Sequence, residues 1–144
     1  MMNPLRVAAT CVLITILGSA FAATVSVYPG SSIQAAIYTA KVGDVIEVHS
    51  GVYYEHVNVN KRITLKGIGM PILDATASGD AITLKTDGII LQGFRTINSG
   101  QWPGDGSKEA GIKVLSNNNT IENNNTSNNS NGIFIIWGGV TTIQ

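Results

Sequence analysis

Trp102 stands in the stretch "GQWPGDGSKEAG" (residues 100–111), with Asp105, Lys108 and Glu109 close behind it. An indole can stack on the apolar face of a pyranose while neighbouring charged groups bond its hydroxyls, so this loop has the makings of a sugar platform. Tyr53 and Tyr54 supply two further aromatic rings, and Arg95 in "GFRTINSG" offers a guanidinium able to grip a carboxylate with two hydrogen bonds. The plainer readings fold Trp102 back over apolar surface and leave Arg95 as an outward strand residue. Asp74 and Asp80 flank "ATASG", where two carboxylates could hold a hard cation such as Ca²⁺ or divide acid and base roles. Turn and strand-end duties explain both aspartates more simply. No Asp-Asp or Asp-x-Asp cluster occurs, and the other acidic residues are scattered.

Between residues 116 and 135 runs "SNNNTIENNNTSNNSNGIFI", in which nine of twenty positions are asparagine. Glycan acceptor sequons fall at Asn118, Asn124, Asn125 and Asn128, a pattern that arises easily in any Asn-rich stretch. A flexible linker is excluded, because Ile112, Val114, Ile121, Ile133 and Ile135 keep their spacing straight through the tract. Asparagine tolerates left-handed backbone geometry and bonds its own backbone, so tight turns are the expected role. Amides stacked on like amides of neighbouring coils would add a side-chain ladder.

Such residues need a frame. Of the 144 residues, 44% are hydrophobic and 12% charged, with sixteen glycines, a composition suited to one β-rich domain rather than a helical bundle. The N-terminus reads as a leader: Arg6, an apolar run from Val7 to Leu17, then Ala20-Phe21-Ala22 as a small-x-small cleavage motif. The run is shorter than the roughly 18–20 residues a spanning helix needs, which disfavours the competing reading of an uncleaved anchor. Residues 1–22 are therefore expected to be a signal peptide, with no membrane span after its removal. Cys11 leaves with it, so the mature chain has no thiol chemistry. Eight basic residues then face nine acidic ones, too neutral a balance for a nucleic-acid partner.

Ser31 and Gln34 have capping-box spacing, and Ile33, Ala36, Ile37 and Ala40 share one helical face, with Gly43 as the stop. Beyond Asp44 the period changes to two. "VIEVH", "HVNVN", "ITL", "PILD", "AITLK", "IIL", "GIKVL", "TIE", "GIFII" and "TTI" predict ten very short strands. Self-alignment at shifts of about 21 to 26 residues places Val57 over Ile82, Leu65 over Leu91, Ile112 over Ile133 and Ile121 over Ile143. The signature is a solenoid: all-β, a right-handed parallel β-helix of three short strands per coil under an N-terminal capping helix. Its inward columns are expected to be Val57–Ile82–Ile112–Ile133 and Val59–Leu84–Val114–Ile135. The outward column between them is Asn58–Thr83–Lys113–Phe134. The helical cap spans 23–43 and the coils 44–144. The repeat stops at Gln144 inside a coil, which predicts a piece of a longer protein or end-on pairing with a second copy.

With "SIQAAIYTAKVGDVIEVHSGVYYEHVNVNKRITLKGIG" followed by "GIILQGFRTINSG", the chain resembles the N-terminal part of NosD-like parallel β-helix repeat proteins of the pectin-lyase-like group. The resemblance covers residues 25 to 144. It implies a secreted, cell-surface or periplasmic protein, and the group spans lyases, hydrolases, epimerases, a copper-related accessory protein and non-catalytic surface proteins. The paired aspartates of its polygalacturonases and the Asp-Pro-His site of its epimerases are absent. Copper would call on His49 and His56 with Met70, a poor ligand set, and solvated histidines are the simpler reading. The expected function is a non-catalytic module contacting polysaccharide or cell-envelope components, with no cofactor. The alternatives are the first coils of a carbohydrate-active enzyme, or a copper-site accessory.

Overall fold

A computed structural model describes residues 21–101, 108–136 and 139–144. Strand β1 (Thr24–Val27) and helix α1 (Ile33–Thr39) come first. Three-strand coils follow, the first made of β2 (Val45–His49), β3 (Val52–Tyr53) and β4 (Val57–Val59). The second holds β5 (Thr64–Ile68), β6 (Ile72–Asp74) and β7 (Ile82–Leu84), and the third β8 (Ile90–Gln92), β9 (Arg95–Ile97) and β10 (Ala110–Val114). The fourth contains β11 (Thr120–Glu122), β12 (Asn125–Ser127) and β13 (Asn131–Ile135), and β14 (Thr142–Ile143) opens a fifth. Each third strand joins the same sheet. The first sheet runs β1-β2-β5-β8-β11-β14, the second β3-β6-β9-β12 and the third β4-β7-β10-β13. Every pairing among the described residues is parallel, so they form an all-β parallel solenoid with one short helix.

Because side chains alternate across a strand, each coil points one set of residues inward, and stacking aligns those sets. In the third sheet the pairs Val57↔Ile82, Ile82↔Ile112 and Ile112↔Ile133 form one inward column, and Val59, Leu84, Val114 and Ile135 the next. Ile46, Leu65, Leu91 and Ile121 make the corresponding column of the first sheet, all but sealed from solvent. Both third-sheet columns follow the register expected from the sequence, although Ile135, at the top of the stack, is exposed.

Three details differ from the sequence reading. The helix N-cap is Ser32, whose Oγ accepts from Ala35 N–H at 3.1 Å, rather than Ser31. No capping box forms; two further first-turn donors are satisfied by the distant Glu55, which accepts from Ile33 N–H and Gln34 N–H at 3.0 and 3.1 Å. Gln34 is thereby free to act elsewhere: its Oε1 accepts from Asn58 N–H (2.7 Å) and its Nε2 donates to Asn58 O (3.2 Å). One amide side chain thus stands in for a missing strand against β4, while Ile33 and Ile37 seal the end of the core. Burying those two isoleucines contributes about 1.5–3 kcal/mol each. The helix ends at Thr39, before Gly43. Finally, β1, β3, β9 and β12 are strands beyond the ten expected.

The asparagines answer to a rule of five. Asn118, Asn123 and Asn128 have φ of 53°, 55° and 53°, each placing a left-handed residue at a corner of the fourth coil. The asparagine after each one turns inward and bonds the backbone of the coil beneath. Asn119 Oδ1 accepts from Ile89 N–H (3.0 Å), Asn124 Oδ1 from Phe94 N–H (2.9 Å) and Asn129 Oδ1 from Ser99 N–H (2.9 Å). Two of these amides also donate downward, Asn124 Nδ2 to Leu91 O (3.0 Å) and Asn129 Nδ2 to Thr96 O (2.9 Å). Asn119 Nδ2 instead donates to Ser116 Oγ (3.0 Å). The expected amide-on-amide ladder is therefore replaced by amide-on-backbone locks. The coil beneath has Ile89, Phe94 and Ser99 at these corners, so no matching amide is available below.

Candidate binding faces

The outer row of the third sheet pairs Asn58 with Thr83, Thr83 with Lys113 and Lys113 with Phe134. Thr83 is nevertheless buried, because Asp80 folds across the row. Asp80 Oδ2 lies 2.7 Å from Lys113 Nζ and accepts a long bond from Thr83 Oγ1 (3.5 Å), while Oδ1 accepts from Ala110 N–H (2.8 Å). Asp80 thus ties the second coil to β10 of the third. His56 stands at the edge of this row, with Nδ1 2.9 Å from Asp80 O. Higher up, Lys108 Nζ lies 5.2 Å from the centre of the Phe134 ring, a cation–π distance.

The residues singled out from the sequence fall in several places. Trp102 and Asp105 lie outside the described residues. Lys108 belongs to the third-sheet face just described. Arg95 is exposed on the second sheet, where its Nη2 reaches Ser127 Oγ at 3.5 Å. Tyr54 is exposed at the corner after β3, whereas Tyr53 is core. The Tyr53 hydroxyl donates to His49 O at 2.8 Å, and burial, helped by the Glu55 charge, pushes its phenol above the ordinary value. Its ring is not offered to a ligand.

Asp74 and Asp80 serve different partners. Asp74 Oδ1 accepts from Thr76 N–H (2.8 Å) and Asn98 Nδ2 (3.0 Å), which fixes the turn after β6. His49 and His56 are likewise separated, in the first sheet and at the start of the third. His49 stacks on Tyr28, with ring centres 4.2 Å apart and planes within 10°. Among the described residues, no three His, Cys, Asp or Glu side chains converge in a way that could hold a metal. The sequons divide too: Asn118, Asn125 and Asn128 are exposed, and Asn124 has its amide committed at both ends. No described helix is long and apolar enough to cross a membrane.

The sequence singles out neither Tyr28 nor Gln101. It places Phe134 on the outward column without a binding role, although an aromatic ring at that position is the available signal. Compared with known proteins, the chain matches no family model, no curated protein and no solved structure.

Proposed function

We propose that this chain is a secreted or cell-surface module that holds polysaccharide or envelope components against the outside of the solenoid and performs no catalysis. The observation that carries this reading is the outer row of the third sheet, ending at Phe134 with Lys108 over its ring. Asn58 at one end of this row and Phe134 at the other are partly exposed, and the aromatic ring offers a stacking surface for a sugar. The carboxylates best placed for acid–base work have structural duties. Asp74, Asp80 and Glu55 each accept backbone N–H bonds, and Asp80 also pairs with Lys113. Protonating one of them during a reaction would loosen the corner it holds. The leader-like residues 1–22 support export, and the three-strand coils under an N-terminal helix support kinship with the NosD-like, pectin-lyase-like solenoids.

Affinity electrophoresis through gels containing a panel of neutral and acidic polysaccharides tests the reading. Retardation by at least one polysaccharide is expected, with binding about tenfold weaker in Phe134→Ala if stacking contributes roughly 1–1.5 kcal/mol. Migration unaffected by every polysaccharide, or release of reducing ends or unsaturated uronates during incubation, would overturn it.

A further inference from the structure

A cleft of about 580 Å³ opens at the corner where the chain leaves the second sheet for the third, lined by Asn98, Ser99, Gln101, Asn128, Asn129 and Ser130. Its size lies within the range of small-ligand sites. Among the described residues, every lining side chain is an amide or a hydroxyl, and none is charged.

Several of those groups are already used to build the corner. Asn129 bonds Ser99 N–H and Thr96 O, Ser99 Oγ accepts from Ser130 N–H (2.9 Å), and Asn98 Nδ2 donates to Asp74. Asn98 N–H donates to Asn128 O at 3.1 Å, so the two left-handed residues, with φ of 55° and 53°, sit one coil apart. What remains without a protein partner among the described residues is the whole amide of Asn128, the whole amide of Gln101, the Ser130 hydroxyl and Asn98 Oδ1. An amide carries donors and acceptors together, as does a set of sugar hydroxyls. The corner is held rigid by the Asn129 lock, so little ordering cost is left for binding. A uronate carboxylate would find no cation among these described lining residues and would lose hydration without compensation.

We propose that this corner cleft binds a neutral pyranoside unit of a polysaccharide, with Gln101, Asn128 and Ser130 bonding its hydroxyls. The proposal rests on the polysaccharide reading above and adds a second site and a preference for uncharged sugars.

The test is calorimetric titration of the full chain with neutral gluco-, manno- and galacto-oligosaccharides and with oligogalacturonate. The wild type is compared with a Gln101→Ala/Asn128→Gly/Ser130→Ala variant and with Phe134→Ala. Glycine at 128 keeps the left-handed backbone while removing the amide. Gln101→Ala alone, at an exposed position, serves if the triple variant folds poorly. The expected result is binding of a neutral oligosaccharide that is insensitive to salt and at least about tenfold weaker in the triple variant. Unchanged affinity in the triple variant, or binding confined to oligogalacturonate, overturns the cleft. If Phe134→Ala then loses binding, the polysaccharide reading stands without the cleft. If no oligosaccharide binds at all, both fall.

Discussion

Replacing Asn119 by alanine removes an amide that is 2% exposed and joined to two coils. The Ile89 N–H loses its 3.0 Å acceptor and stays buried, which costs about 1–3 kcal/mol. Ser116 Oγ loses the Asn119 donor but keeps its own 3.2 Å bond to Leu84 O, adding about 1 kcal/mol. A total near 2–4 kcal/mol is expected, confined to the upper coils because a solenoid's coils feel mainly their neighbours. Thr120 N–H, which donates to Ile89 O at 2.9 Å, is the local reporter. Its hydrogen exchange should quicken roughly 30- to 1,000-fold. Asn118 provides the control, since it is exposed with φ 53° and Asn118→Gly should stay within about 0.5 kcal/mol of wild type. A loss below about 1 kcal/mol in Asn119→Ala, or an equal loss in Asn118→Gly, would refute the lock.

Three further outcomes can be measured. Asp44 accepts from Lys41 N–H (2.7 Å) and Ala23 N–H (2.9 Å), and those donors hold its carboxyl below the ordinary 3.8. A depressed carboxylate contributes stability that is present above its unfolded value and lost as pH falls through the folded one. Thermal melts of the wild type should therefore drop below pH ~4, and the gap to Asp44→Asn should close over the same window. At Gly67 a methyl group would run into the Gly93 carbonyl of the next coil, so Gly67→Ala should lower stability by about 1–3 kcal/mol in urea titrations. Passed through a glycosylating secretory pathway, the folded product should carry glycans at Asn118, Asn125 or Asn128 and none at Asn124, as peptide mapping would reveal.

Much of the architecture could be read before any coordinates. Val57, Ile82, Ile112 and Ile133 announce a shared column because only stacked apolar residues let such short strands bury anything. By contrast, β9 and β12 escape notice because Arg95-Thr96-Ile97 and Asn125-Thr126-Ser127 lack apolar alternation. They are strands because their backbones pair with neighbours, a property of position rather than of side chains. The cap at Ser32 depends on Glu55, more than twenty residues away, which no local motif reports. The asparagine tract declared turns, but which member of each pair points inward follows from corners recurring every five residues. At the candidate binding faces the sequence supplies Lys108 and the Phe134 position. The role of Asp80 in bridging coils and the cleft at Gln101 arise only when distant segments stack.

The asparagine locks address backbone atoms alone, so they take no account of which side chain lies below. Asn119 sits over Ile89, Asn124 over Phe94 and Asn129 over Ser99, with the same kind of bond each time. A coil carrying such locks can be seated on many different predecessors, which makes the coil a portable unit of evolution. The same indifference shelters the connection from β9 to β10, because Asn129 clamps its start at Ser99 whatever follows. New loops can be grafted there without renegotiating the core.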